Sequence, residues 1–183
     1  MNQLYRYSQL QQNFAANMLA LNGGRPEQMN AFTVQMADEL EDFFTQVNNN
    51  DDIRAIIVTG AGKAFCAGMD LKAGAEGHRS TDEFMELMAT VPNIHWQALL
   101  RDDRPNKPLI LAVEGYALAG GTEILAGTDI RVAAEDATFG VTEVARGLYP
   151  MAGSSVRLPR QIPYCLAAEI VLLGRHITAQ EAL

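Results

Sequence analysis

The chain has 183 residues, 48% of them hydrophobic, which suits one sizeable core better than two independent ones. Its formal net charge of -8 argues against an electrostatic nucleic-acid footprint. No apolar run approaches the ~18 residues of a membrane span, and the N-terminus lacks the order of a secretory signal. Cys66 and Cys165 match neither a disulfide framework nor a metal-ligand spacing. We therefore expect a single cytoplasmic domain over residues 1–183, with no nucleic-acid, membrane or metal partner.

The first clear element in chain order is an amphipathic helix that begins at Thr33 and ends at "NNNDD", residues 48–52. Apolar residues recur there at helical spacing, with acidic residues between them. "IRAIIVTG", residues 53–60, is short, apolar and rich in β-branched residues, which predicts a buried strand that stops at Gly60. Residues 1–17 show neither the alternation of a strand nor the periodicity of a helix.

The middle of the chain predicts a second helix, a turn and a second strand. Ser80–Glu83 has the S-x-x-E form of a capping box, and the helix it opens ends near Pro92. Residues 93–108 predict a short helix and a polar turn. "LILAVEGYAL", residues 109–118, predicts the strand that follows.

The last third predicts a strand at "DIRVAA", residues 129–134, and a helix over residues 163–174 between a proline and a glycine. Thr178–Glu181 is another capping box, and only Ala182 and Leu183 follow it. Because a helix begins where the chain ends, we expect the chain to be a truncated form of a longer domain.

Two glycine-containing stretches, residues 56–71 and 112–125, each run from a strand through glycines towards a predicted helix start. Unpaired N–H groups at a helix start can hold an anion or a developing oxyanion, although ordinary tight turns explain the same pattern. The spacing excludes a G-x-G-x-x-G fingerprint, and Ile57 and Ala64 stand where a P-loop needs glycine and Ser or Thr. "AGSSVR", residues 152–157, does not supply the elbow of a serine hydrolase.

Two glutamates lie in unusually apolar, glycine-rich parts of the sequence. Glu123 follows Gly120, Gly121 and Thr122 and precedes an apolar run, and Glu143 lies within "FGVTEVARGLYP". Each alone is typical of a first helical turn, where the helix dipole favours negative charge. If both faced one cavity, burial would raise their pKa values and let one act as acid while the other acts as base.

Three segments, "KAFCAGMDL", "GYALAGGTEILAGTDIRVA" and "ATFGVTEVARGLYPMAGS", together resemble the crotonase, or enoyl-CoA hydratase/isomerase, superfamily, and the likeness runs from about Arg25 to Leu183. The resemblance implies an α/β fold, a spiral of repeated β–β–α units. It also implies CoA thioester ligands and assembly as homotrimers or dimers of trimers. The C-terminal helices that build the family's trimers would be absent from this chain.

The resemblance also assigns roles to residues. The backbone N–H groups of Met69 and Gly120 would form an oxyanion hole for the thioester oxygen. Residues bordering the bound substrate and its CoA would be Ala64, Ala67, Gly68, Asp70, Leu71 and Gly121. Glu123 and Glu143 would hold one water against the β-carbon of a trans-2-enoyl-CoA. No cofactor is expected, because coenzyme A is part of the substrate.

The resulting prediction is an enoyl-CoA hydratase that adds water in syn fashion to give a 3-hydroxyacyl-CoA, in fatty-acid or sterol side-chain β-oxidation. A Δ3-Δ2-enoyl-CoA isomerase or another acyl-CoA enzyme of the same family is the alternative, since one glutamate can shuttle a proton without water. A non-catalytic, truncated CoA-binding module is the second alternative. The acyl group and the physiological direction stay open.

Overall fold

The computed structural model describes residues 16–20, 26–70 and 98–183. The capping box at Ser80–Glu83, the helix it was expected to open, and Leu71 lie outside the described residues. Among the described ranges, no helix combines the length and the apolarity that crossing a bilayer requires.

The described residues form two sheets, several helices and two short 3-10 turns. The strands are β1 (Ala16–Ala20), β2 (Ala55–Thr59), β3 (Ala64–Cys66), β4 (Leu109–Val113), β5 (Tyr116–Leu118), β6 (Ile130–Ala133), β7 (Thr138–Gly140) and β8 (Ile177–Thr178). The helices are α1 (Val34–Asn48), α2 (Gly120–Leu125), α3 (Ser154–Gln161), α4 (Tyr164–Leu173) and α5 (Ala179–Ala182). The 3-10 turns are Pro26–Gln28 and Glu143–Arg146.

From β2 to β7, successive strands alternate between the two sheets. One sheet has the order β1-β2-β4-β6 and is parallel throughout. The other has the order β3-β5-β7-β8, parallel except for the antiparallel β7–β8 pair. The pairs β2/β3, β4/β5 and β6/β7 therefore each add one strand to each sheet. This repetition confirms the predicted α/β spiral of β–β–α units.

Helix α1 confirms the predicted amphipathic helix and its start. The Thr33 hydroxyl accepts a hydrogen bond from the Met36 N–H at 3.2 Å, so it caps one of the unpaired donors of the first turn. The buried face of the helix carries Met36, Ala37, Leu40, Phe44 and Val47. These side chains join the core formed with the two sheets.

The predicted single strand over residues 109–118 is wrong, because the structure divides it into β4 and β5, which belong to different sheets. The break falls at Glu114 and Gly115. Gly115 has a φ of +65°, and a β-carbon placed on it would lie 2.0 Å from the Lys63 carbonyl oxygen. Only glycine fits so close to another backbone in this conformation, which lets the chain cross from one sheet to the other.

The stretch after Gly60 also differs from its prediction. Residues 64–66, expected to lead into a helix start, form β3 and pair with β5. Gly68 then turns the chain with a φ of +90°. The short strands β1, β3 and β7 and the Pro159-containing helix α3 were not predicted, because runs this short or this irregular carry little periodic signal.

Strand β6, helix α4 and the terminal capping box follow their predictions. Helix α4 begins after Pro163 and ends at Gly174, whose φ is +63°. At the start of α5, the Thr178 hydroxyl accepts from the Glu181 N–H at 3.2 Å, and the Glu181 carboxylate accepts from the Thr178 N–H at 3.0 Å. Both halves of the box are therefore formed.

The packing of α2 against β3 predicts that Gly121→Ala destabilises the fold. A β-carbon on Gly121 would lie 2.3 Å from the Cys66 carbonyl oxygen, so strand or helix must shift. We expect a loss of about 1–3 kcal/mol in the free energy of unfolding, measured by urea denaturation. Gly120→Ala is the matched control, because its β-carbon would meet nothing closer than Leu99 Cδ2 at 3.8 Å. Equal stability of the two variants would contradict this close packing.

Candidate active site

The two glycine-containing segments meet at one end of the second sheet. Strands β3 and β5 are parallel neighbours, so the residues that follow them leave the sheet at the same end. A β-carbon placed on Gly68 would lie 2.7 Å from Ala119 Cβ and 3.6 Å from the Gly120 nitrogen. The predicted oxyanion segments, Gly68–Met69 and Ala119–Gly120, are therefore in contact.

The direction of the Met69 N–H follows from the bonding of Phe32. The Phe32 N–H donates to the Gly68 carbonyl at 2.7 Å, and the Asp70 N–H donates to the Phe32 carbonyl at 2.9 Å. In a trans peptide the C=O and the next N–H point in opposite directions, and no cis peptide occurs among the described residues. The Met69 N–H therefore points away from Phe32.

The same reasoning orients the Gly120 N–H. The Ala119 carbonyl accepts hydrogen bonds from the N–H groups of Thr122 at 2.8 Å and Glu123 at 3.0 Å, inside the first turn of α2. The Gly120 N–H belongs to the same peptide group and points out of the helix N-terminus. Neither the Met69 N–H nor the Gly120 N–H donates a hydrogen bond to another described residue. Within the described part of the chain, both donors are therefore unpaired.

Ala119 holds the turn between β5 and α2 in a rare backbone conformation. Its φ of 49° and ψ of -123° are unusual for a residue with a side chain, and its N–H donates to the Gly140 carbonyl at 2.7 Å. The Thr122 hydroxyl bonds the Ala117 carbonyl and accepts from the Gly140 N–H at 2.9 Å. These bonds fix the start of α2 on strands β5 and β7.

Glu123 is a buried carboxylate held from both sides. The residue is 3% exposed. Its Oε2 accepts from the Ala152 N–H at 3.1 Å, and its Oε1 accepts from the Ser154 N–H at 3.0 Å. Ser154 begins α3, so the carboxylate occupies the positive end of that helix. These contacts fix the orientation of the Glu123 carboxyl group.

Glu143 is the first residue of the 3-10 turn after β7, and its carboxyl group interacts electrostatically with that of Glu123. Burial, and then the negative charge of Glu123, raise the pKa of Glu143 from its ordinary value of 4.5 to about 7. Its Oε2 atom is buried and has no hydrogen-bond partner among the described residues. One carboxylate is therefore anchored, while its neighbour can carry a proton near neutral pH.

The raised pKa of Glu143 predicts that stability falls as pH rises. The folded state binds the Glu143 proton more tightly than the unfolded state, so stability is lost between pH 4.5 and about 7. We expect Glu143→Gln to be more stable than the wild type at about pH 8, by up to about 3 kcal/mol, and no more stable below pH 4.5. Thermal melts across this range measure the difference. A difference that does not change with pH would contradict the assigned environment.

The other predicted site residues lie around the two segments. Ala64 is 1% exposed, and its carbonyl accepts from Asn30 Nδ2 at 2.7 Å. The Ala67 N–H donates to the Met29 carbonyl at 3.0 Å. Gly121 is buried under Cys66, and Asp70 is partly exposed. Their contacts with a substrate stay predictions, as does that of Leu71 outside the described residues.

Several groups that build the site were not predicted as site residues. They are the side chains of Asn30, Thr122 and Arg157 and the N–H groups of Ala152 and Ser154. The Gly-Ser-Ser run at the start of α3 is typical of a helix N-terminus and is the signal from which the donors to Glu123 could have been found. Over the ranges that the structure describes, no group of three or more His, Cys, Asp or Glu side chains is placed to hold a metal ion.

Comparison with known proteins shows the family to which the chain belongs. The sequence profile of the enoyl-CoA hydratase/isomerase family matches residues 13–183. The enoyl-CoA hydratase EchA19 of Mycobacterium tuberculosis is 52% identical over 164 residues, covering 90% of this chain and 60% of that protein. The chain belongs to the enoyl-CoA hydratase/isomerase family.

Solved structures show the same fold. An enoyl-CoA hydratase from Bacillus anthracis superposes with a TM-score of 0.78 at 34% identity, covering 93% of this chain and 64% of that one. An enoyl-CoA hydratase from Mycobacterium tuberculosis superposes with a TM-score of 0.77 at 38% identity, covering 93% and 63%. The two sheets are therefore those of the crotonase fold. The chain spans 60% of the length of the curated relative EchA19.

Proposed function

We propose that the protein is an enoyl-CoA hydratase that adds water to a trans-2-enoyl-CoA and forms a 3-hydroxyacyl-CoA. The observation that carries this proposal is the pairing of Glu123 and Glu143: one anchored by two N–H groups, the other with a pKa raised to about 7 by burial and by the first. The outward-pointing N–H groups of Met69 and Gly120 lie at the same end of the sheet.

In the proposed reaction the thioester oxygen accepts hydrogen bonds from the Met69 and Gly120 N–H groups. As water attacks the β-carbon, the electron pair of the C=C bond moves towards the thioester and its oxygen gains negative charge. Donors aimed at that oxygen stabilise the enolate-like transition state, and one such donor contributes about 10²–10³ to kcat. Ala64, Ala67, Gly68, Asp70, Leu71 and Gly121 would border the substrate and its CoA.

In the proposed reaction each of the two glutamates carries out one proton transfer. Glu123, held in place by the N–H groups of Ala152 and Ser154, orients the water and accepts its proton while the new C–O bond forms. Glu143, which carries a proton near neutral pH, delivers that proton to the α-carbon on the same face. The added water supplies both the hydroxyl group and, after proton transfer between the glutamates, the replacement proton. The overall step is a syn addition.

A Δ3-Δ2-enoyl-CoA isomerase is the second candidate, because Glu143 alone could move a proton between the α- and γ-carbons. Mass analysis of products formed by the intact protein separates the two. The hydratase proposal expects a trans-2-enoyl-CoA to gain the mass of one water. Formation of an isomer of unchanged mass from a Δ3-enoyl-CoA, with no hydration product, would contradict the hydratase proposal and favour the isomerase. Binding of acyl-CoA without turnover would favour a non-catalytic module.

We further propose a cytoplasmic homotrimer, or a dimer of trimers, that acts on acyl-CoA thioesters in fatty-acid or sterol side-chain β-oxidation. Exposed apolar side chains on α4 support an assembly that covers them, since Tyr164 is 75%, Leu172 68% and Leu173 69% exposed. Light scattering of the intact protein tests this assembly, and a monomeric mass would contradict it. The proposed steps call on side chains, backbone donors and water, so no cofactor beyond the CoA of the substrate is proposed.

A further inference from the structure

Arg157, on the first turns of α3, packs its guanidinium against the end of α2 and against a turn at Leu100. A β-carbon placed on Gly127 would lie 2.8 Å from Arg157 Nη1 and 2.7 Å from Leu100 Cβ. Arg157 Nη2 donates to the Leu100 carbonyl and, at 3.1 Å, to the Arg101 carbonyl. One side chain therefore ties together three segments that are far apart in sequence.

The turn that Arg157 holds is conformationally unfavourable by itself. Leu100 has a φ of +60° although it carries a γ-branched side chain, and it is 0% exposed. A left-handed leucine persists only where its surroundings impose that conformation. The guanidinium on its carbonyl and the contact with Gly127 are part of those surroundings, and the Leu100 side chain also belongs to the hydrophobic core.

The turn at Leu100 also places Leu99 beside the candidate oxyanion hole. Leu99 is 5% exposed, and a β-carbon on Gly120 would meet the two Leu99 δ-carbons at 3.8 and 3.9 Å. Leu99 is thus a wall next to the residue whose N–H is proposed to bind the thioester oxygen. A shift of the Leu100 turn would move that wall.

Arg157 also lies against the segment that anchors Glu123. Its backbone N–H donates to the Gly153 carbonyl at 2.8 Å, and a β-carbon on Gly153 would lie 3.5 Å from its Cδ, Nε and Nη1 atoms. Gly153 stands between Ala152 and Ser154, the two donors to Glu123. Burial lowers the pKa of Arg157, and the charge of Glu123 acts in the opposite direction.

We propose that Arg157 is a positioning residue for the reaction. It holds the Leu99–Leu100 turn and the Ala152–Ser154 segment in fixed positions relative to each other, so that Glu123 and the Gly120 N–H keep their relative placement. The inference rests on the proposed hydratase function. It assigns Arg157 an effect on turnover rather than on CoA binding, because none of the residues it contacts is among the predicted CoA-bordering set.

The test compares Arg157→Met, Arg157→Lys and Arg160→Met in the intact protein. Arg157→Met keeps the aliphatic stem but removes both carbonyl contacts, so kcat per folded molecule should fall about 10–100-fold, the scale expected of a small misplacement of reacting groups. KM should change by less than about threefold. Lysine can bind one of the two carbonyls, and Arg157→Lys should recover part of the lost rate. Arg160, exposed on the same helix and without a partner among the described residues, is the control and should keep wild-type kcat.

Rates are normalised to the folded fraction, measured by near-ultraviolet circular dichroism in the same samples. Wild-type kcat per folded molecule in Arg157→Met, or no recovery in Arg157→Lys, would overturn the positioning role. If Arg157→Met does not fold, Arg157→Lys decides alone by showing a lowered kcat with an unchanged KM. A wild-type protein that hydrates no enoyl-CoA would instead overturn the proposed function, and the positioning role with it.

Discussion

Replacing Glu143 with glutamine is expected to lower kcat for hydration of a trans-2-enoyl-CoA by about 10²–10⁴-fold. Glutamine has nearly the size of glutamate but cannot give up the proton that the α-carbon requires. The buried, unpartnered Oε2 of Glu143 and the raised pKa of its carboxyl, about 7, make it the candidate acid. Loss of the absorbance of the conjugated enoyl thioester measures the rate.

The matched control is Glu135→Gln, which makes the same chemical change at an exposed glutamate between β6 and β7. It should hydrate the substrate at the wild-type rate. Glu143→Gln is also expected to be stabilising at about pH 8, so we expect no loss of folded protein to accompany its loss of activity. Wild-type kcat in Glu143→Gln would remove this residue from the chemistry.

Replacing Glu123 with glutamine is expected to have a similar effect on kcat, about 10²–10⁴-fold, and an opposite effect on stability. The amide has one oxygen where the carboxylate has two, so its NH2 group faces the N–H of Ala152 or of Ser154. A buried donor left unpaired costs about 1–3 kcal/mol. Stopped-flow kinetics and urea unfolding of the same sample measure the two effects.

The opposite stability effects separate the two glutamates even where both variants are inactive. Glu123→Gln should unfold at lower urea concentration than the wild type, whereas Glu143→Gln at about pH 8 should unfold at higher concentration. A Glu123→Gln variant as stable as the wild type would mean that the Ala152 and Ser154 N–H groups do not depend on the carboxylate.

Much of the fold could be predicted because periodic apolar residues and helix caps are local signals. Thr33, Pro163 with Gly174, and the Thr178–Glu181 box mark element ends that the structure reproduces. The division of residues 109–118 could not be predicted, since a run of apolar residues does not reveal that Gly115 contacts Lys63. That contact depends on the path of a segment about 50 residues earlier in the chain.

The two carboxylates were recognisable from their neighbours, but their proximity depends on sheet register. Leu118 at the end of β5 pairs with Gly140 at the end of β7, so the residues that follow each strand emerge side by side. Glu123 comes five residues after Leu118, and Glu143 three after Gly140. The anchoring of Glu123 at the start of α3 and the contacts of Arg157 are long-range backbone contacts, which leave no periodic trace in the sequence.

The kinetics of the double variant Glu123→Gln/Glu143→Gln test whether Glu123 and Glu143 act together on one water. Groups that act as a unit show strongly non-additive effects. We expect the double variant of the intact protein to hydrate a trans-2-enoyl-CoA no more than about tenfold slower than the slower single variant. If the double variant instead shows the product of the two single effects, the glutamates act independently. That result would contradict joint action of Glu123 and Glu143 on one water.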